Sequence, residues 1–170
     1  MMIRSLALAL SAVLLAGTAV AAPAPQMGIT SFAQLATPLP YPYDEAANAD
    51  IAVAKAKARA RAEHKLLLID LGGNWCGDCR VLAGTMEQPE LKAFVDQHYV
   101  LVSVDVARFV KNLQIPAHYG ITSRLEGVPA LLVVDPRTDK LLDAGHVSAL
   151  QDARHMTPQA LADWLAQWTS

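Results

Sequence analysis

The chain has 170 residues, 53% of them hydrophobic, and a formal charge of −2 from 14 Lys and Arg against 16 Asp and Glu. A balance so near neutral carries no electrostatic footprint for nucleic acid or for an anionic membrane surface. Only 2 cysteines are present, too few for a multi-disulfide framework, so the pair is a redox dithiol, half of a metal site or a local staple.

The N-terminus reads as an export signal. Met1 to Arg4 is a short n-region with one positive charge, Leu6 to about Leu15 is an apolar h-region, and Ala19-Val20-Ala21 is an Ala-x-Ala cleavage site. The apolar stretch from Leu6 to Ala22, 17 residues rich in alanine, is at the low limit for a membrane span. Cleavage after Ala21 removes Arg4 and leaves roughly 150 residues, enough for one domain with a proper core. No cysteine lies at the cut, so a lipid-modified N-terminus is not expected. The expected location is the periplasm or another exported compartment. There a dithiol meets oxidising surroundings and depends on a partner to reset it.

Residues 22–43 carry Pro23, Pro25, Pro38, Pro40 and Pro42 with few charges. They predict a linker or loosely docked arm, with Phe32, Leu35, Tyr41 and Tyr43 available to pack on a domain at 44–170. Ala52 to Ala62 alternates apolar and basic residues at a strand period. Its Ala, Lys and Arg are nevertheless strong helix formers, and the acids Asp44 and Glu45 before it suit a helix dipole, which predicts a helix from about Asp44 to His64. Leu66 to Leu71 reads as a short buried strand, followed by a turn through Gly72-Gly73-Asn74 and a helix from Cys76 to about Thr85. Pro89 to Gln97 continues as helix with Leu91, Phe94 and Val95 as its apolar stripe. Tyr99 to Val106 reads as a strand, and Phe109 to Tyr119 as a helix broken by Pro116. Ala130 to Val134 and Lys140 to Ala144 form a hairpin across the turn 135–139. The last helix has Thr157 as N-cap and Pro158 at its first position, with Leu161, Trp164, Leu165 and Trp168 as its buried stripe. This order implies an α/β fold, a central mixed sheet flanked by helices on both faces.

Both cysteines lie in Trp75-Cys76-Gly77-Asp78-Cys79. A cysteine at a helix N-terminus has backbone N–H groups and the helix dipole favouring its thiolate, the nucleophilic form. Cys79, one turn on, is within reach of a disulfide with Cys76. A metal site would need two further ligands from His64, His98, His118, His146 and His155. None of these is paired at a ligand spacing, so no metal is expected.

Three features together resemble the thioredoxin-fold family across about Asp44 to Trp168. Trp75-Cys76-Gly77-Asp78-Cys79 is similar to the family's Trp-Cys-Gly-Pro-Cys. Asp70, six residues before Cys76, matches the acid kept buried beneath the dithiol. Gly127-Val128-Pro129 is similar to the family's Gly-Val/Ile-Pro, whose proline is cis and faces the cysteines. With the signal segment, the resemblance points to the family's exported branch. It implies a three-layer thioredoxin-like fold and dithiol–disulfide exchange on partner proteins, with Cys76 as nucleophile and Cys79 as resolving cysteine. Asp70 would be the base that takes the Cys79 proton. Trp75, Gly77, Asp78, Val128 and Pro129 would contact substrate, Val128-Pro129 by leaving backbone free for strand addition. The only redox group implied is the Cys76–Cys79 disulfide.

The chain departs from the family at Asp78, which replaces proline and disfavours the Cys76 thiolate. Arg80 is expected to work in the opposite direction. Tyr99 to Val106 lacks the lysine that thioredoxins place near the buried acid, and Ala130 stands where threonine is common. A reductase is favoured over a disulfide-donating oxidase, because of the Gly-Asp dipeptide and the acid beside Cys79. The alternative class is a binding or chaperone module without redox turnover. A reductase would serve exported disulfide-containing proteins, cytochrome c maturation or rescue of wrong disulfides. The sequence shows no Gly-x-Gly-x-x-Gly and no second cysteine pair, so a reductase would need an outside electron donor, which the resemblance to the exported branch implies to be a membrane thiol–disulfide transporter. A monomer is expected.

Overall fold

Leu67, Leu68, Ile69 and Leu71, interrupted only by Asp70, are all fully buried, as in an interior strand covered on both faces. They form β1 (Leu66–Gly72), and burying each such side chain contributes about 1.5–3 kcal/mol. The structure, a computed structural model, describes residues 20–169. The signal segment read at 1–21 lies outside them except for its last two residues.

β1 pairs in parallel with β2 (Tyr99–Asp105) and antiparallel with β3 (Ala130–Asp135). The short β4 (Lys140–Leu141) closes the sheet in the order β2-β1-β3-β4. Alternation along β1 divides the core. Leu67, Ile69 and Leu71 face one cluster with Val53 and Ala60 of α1 (Ala49–Glu63). Leu68 faces another, built on Leu82 of α2 (Gly77–Met86), Leu91 and Phe94 of α3 (Pro89–His98), and Leu161 and Leu165 of α5 (Pro158–Ala166). The result is helix, sheet, helix: three layers with a mixed sheet in the middle, as the residue order implied. Asp70 and Gly72 share the Leu68 side by the same period of two, so both point toward α2.

Four elements differ from expectation. The first helix begins at Ala49 rather than Asp44 because Asn48 is the better N-cap: its side chain accepts the Ile51 N–H at 3.0 Å, whereas Asp44 closes a local turn on Ala46 N–H. The helix expected over 109–119 shrinks to α4 (Gln114–His118), because Ala107, Phe109 and Asn112 take positive φ of 47°, 65° and 55° and no helix can pass through them. The second hairpin strand stops at Leu141 instead of Ala144, since the buried Asp143 side chain takes the Val133 N–H at 3.0 Å in place of a strand partner. Trp168 falls beyond the end of α5, half-buried and edge-on to Trp164 at 5.7 Å.

The proline-rich arm is docked rather than loose. Ala22 N–H donates to Thr169 Oγ1 at 2.8 Å, and the Gln159 amide bonds both Met27 N–H and the Pro25 carbonyl at 3.0 Å. Leu35 and Tyr43 are buried, while Phe32 packs on the α5 cluster. Tyr41 stays 63% exposed with its ring under the Arg80 guanidinium.

Candidate active site

At the C-terminal end of β1 the chain turns through Gly73 and Asn74, and the Cys76 N–H closes that turn on the Gly73 carbonyl at 2.9 Å. Cys76 then sits at the N-cap of α2 in extended geometry, and its sulfur accepts the Cys79 N–H at 3.2 Å. The cap residue preferred at such a position carries an oxygen acceptor; here the acceptor is sulfur. Both cysteines are free thiols, Cys76 with 6% of its surface exposed and Cys79 with none. The Cys76 thiol donates to the Val128 carbonyl at 3.4 Å, and the Val128–Pro129 bond is cis. The loop before β3 thus lies directly against the first cysteine.

The two thiols are held in different states. Cys76 is lowered to about 7, first by the hydrogen bond from the Cys79 side chain, with the backbone N–H groups of Cys79 and Asp78 adding to it against burial and the Asp78 charge. Cys79 is pushed far up by that same hydrogen bond, by burial and by the nearby Asp70 and Cys76 charges. Asp70 has no exposed surface and is raised to about 7 by desolvation. The Tyr43 hydroxyl, 2.9 Å from both Asp70 oxygens, pulls against that rise, as does Ser103, which faces Asp70 across the β1–β2 register. Tyr43 itself is held as the phenol by burial and by the Asp70 charge.

Asp78 does not stand unpaired beside the dithiol. Burial would raise it, but Arg154 holds it below the usual carboxylate range through its backbone N–H and Nε, each 2.9 Å from Oδ1, and through Nη2 on Oδ2. Gly77 gives that pair its room, since a Cβ there would lie 3.3 Å from Arg154 Nη2. Arg80, expected to offset Asp78, turns away. Its Nε and Nη2 donate to the Pro40 and Leu39 carbonyls at 3.0 and 2.7 Å, and it stacks on Tyr41. Arg154, not Arg80, neutralises the acid between the cysteines.

Trp75 is 41% exposed beside Cys76, its indole N–H donating to the Ala107 carbonyl at 2.7 Å. Its ring meets Phe109 edge-on and lies under Arg108.

The residues expected to react or to contact substrate therefore fall in one neighbourhood: Asp70, Trp75, Cys76, Gly77, Asp78, Cys79, Val128 and Pro129. Sequence reasoning missed three members. Arg154 lies in a single 3-10 turn, Ala153–His155, too short to give a periodic signal, Asn74 read only as a turn residue, and Tyr43 read only as a packing residue of the arm.

The family model described as thioredoxin-like matches residues 47–136, from just before α1 through β3. Among solved structures, a disulphide isomerase from Xylella fastidiosa Temecula1 is 35% identical, with a TM-score of 0.69 over 75% of this chain and 96% of that one. A DsbH oxidoreductase is 22% identical over 66% of this chain and 94% of that one, with a TM-score of 0.39. No protein with a curated description matches the chain. The family match, the disulphide-isomerase relative and the three-layer fold with its Cys-Gly-Asp-Cys helix start agree: this chain belongs to the thioredoxin-like family of thiol:disulfide oxidoreductases.

Proposed function

We propose that the chain is an exported thioredoxin-like enzyme that reduces disulfides of partner proteins, with Cys76 as nucleophile, Cys79 as resolving cysteine and Asp70 as base. The observation that carries this reading is the asymmetry of the two thiols. Cys76, lowered to about 7, is partly thiolate at neutral pH, whereas Cys79 keeps its proton until a base takes it.

The Cys76 thiolate attacks one sulfur of the partner disulfide, the S–S bond breaks, and the departing partner sulfur leaves as thiolate and takes a proton from water. Cys79 then gives its proton to the Asp70 carboxylate and attacks the Cys76 sulfur. The Cys76–partner bond breaks, the second partner sulfur leaves, and the enzyme is left with a Cys76–Cys79 disulfide. Two electrons have passed to the partner. The Val128 carbonyl and the exposed Trp75 flank Cys76 and would receive an extended partner segment by backbone pairing and ring contact. The Cys76–Cys79 disulfide is the redox group, and a membrane thiol–disulfide transporter would return it to the dithiol.

A second reading is favoured by the 35% identity to a protein described as a disulphide isomerase: the same attack by Cys76, followed by rearrangement of the partner's own disulfides, leaves no net oxidation.

Cys79→Ser tests the function. A reductase or isomerase with this substitution should accumulate mixed disulfides between Cys76 and exported proteins, released by reductant and seen on non-reducing gels. A chain that traps nothing, while Cys76 remains alkylatable, would make it a binding module.

A further inference from the structure

The Tyr43 hydroxyl reaches Asp70 from outside the residues that the family model matches, and the contact is built rather than incidental. Asn74, in the turn before the dithiol, accepts the Tyr43 N–H at 3.2 Å and donates to the Tyr43 carbonyl at 2.8 Å. Arg80, just after the dithiol, holds the carbonyls of Leu39 and Pro40. The two polar residues that bracket Trp75-Cys76-Gly77-Asp78-Cys79 thus both grip the arm. The ring ends 3% exposed, where the bare face of Gly72 leaves room: a Cβ on Gly72 would collide with the Tyr43 hydroxyl and lie 2.8 Å from the Cys79 sulfur. Hydroxyl, sulfur and carboxylate converge on one point under the sheet end.

We propose that Tyr43 is a positioning residue of the exchange reaction, its hydroxyl orienting the Asp70 carboxylate toward Cys79, and that Asn74 and Arg80 make the proline-rich arm part of the active site. This rests on the exchange function proposed above and supplies its missing part. The group that donates to the buried acid is a neutral phenol. By hydrogen-bonding the carboxylate, Tyr43 eases ionisation of a group that burial would otherwise keep protonated. When Cys79 gives up its proton, the proton ends on Asp70 and Tyr43 keeps its own. The titratable groups facing Asp70 are Tyr43 from the arm and Cys76 and Cys79 from α2, while β2 and β3 place the uncharged Ser103 and Leu131 opposite it.

Tyr43→Phe removes the hydroxyl and keeps the ring. NMR titration of the Asp70 carboxyl carbon in the reduced protein, which needs no turnover, should move its midpoint up by about one pH unit, the scale of one charge-assisted hydrogen bond. Stopped-flow reaction with a chromogenic aryl disulfide separates the attack by Cys76, in a first release of aryl thiolate, from resolution by Cys79 in a second. The second phase should slow about fivefold at pH 7, as the ionised share of the carboxyl falls, and its pH profile should move up with the carboxyl, while the first stays within about twofold. In an Asp70→Asn background the same substitution should leave the second phase unchanged. If Tyr43→Phe does not fold, Asn74→Ala, which frees the Tyr43 backbone and leaves its hydroxyl, should move the midpoint in the same direction. A carboxyl midpoint that stays in place, or an equal slowing in the Asp70→Asn background, would overturn the role of Tyr43. A wild type that shows no second phase contradicts the exchange function, and the carboxyl titration still decides the role of Tyr43.

Discussion

Asp70 is a carboxyl group with no exposed surface beneath a dithiol, and its titration links stability to chemistry. An ordinary Asp titrates near 3.9 in an unfolded chain, but here it is raised to about 7. Between those values the folded protein binds the extra proton, so stability falls as pH rises across that window. Asp143, raised by burial to about 6, adds a slope of the same sign over a narrower range. Urea unfolding of the reduced protein should therefore give lower stability at pH 8 than at pH 5. Asp70→Asn should flatten that slope and stabilise at pH 8 by about 4 kcal/mol at most; a slope unchanged by the substitution would mean that Asp70 is not the group. Arg154 acts on the other cysteine. Its removal leaves the Asp78 charge bare beside Cys76, so Arg154→Ala should raise the midpoint for alkylation of Cys76. The guanidinium is 55% exposed, and solvent screening limits the shift to roughly half a pH unit, smaller in high salt. A midpoint that falls would contradict the neutralising role.

Among the elements, β1 was the most legible, because six apolar or buried residues in succession followed by paired glycines leave little choice of structure. The start of α2 was legible for a related reason, as two cysteines one turn apart need a helix to be useful. The arm and the loop at 106–113 were not. Asn112 is of a type that favours positive φ, but no propensity marks Ala107 or Phe109 for it, and prolines in the arm say extended without saying against what. The choice between Arg80 and Arg154 as partner of Asp78 was equally hidden. Arg80 is near in sequence but points across α2 to the arm, while Arg154 arrives from a distant turn. Gly72 is where these elements meet. Gly72→Ala would force a methyl group between the Tyr43 hydroxyl and the Cys79 sulfur. It should destabilise the reduced protein by about 1–3 kcal/mol, the usual cost of overpacking, read by urea unfolding. Full stability in that variant would show that arm and helix are not pressed together at this point.

At the scale of the whole molecule, the family match leaves out two residues that reach the site. Residues 47–136 contain the dithiol, Asp70 and the cis Val128–Pro129 bond, but neither Tyr43 nor Arg154. The thioredoxin-like frame holds the dithiol, and the arm on one side with the turn before α5 on the other is placed to adjust it: the Tyr43 hydroxyl bonds Asp70 and Arg154 pairs with Asp78. The fold class could be read from residue order, whereas these adjustments depend on segments brought together only by folding. The direction of electron flow is the claim on which the functional account turns, and the reduction potential of the Cys76–Cys79 couple tests it most directly. Equilibration in graded thiol–disulfide buffers with trapping of free thiols should give a value near or below about −230 mV, in the range of thioredoxin and the glutaredoxins. A value near about −120 mV, that of the strongest periplasmic oxidant, would contradict the reductase account.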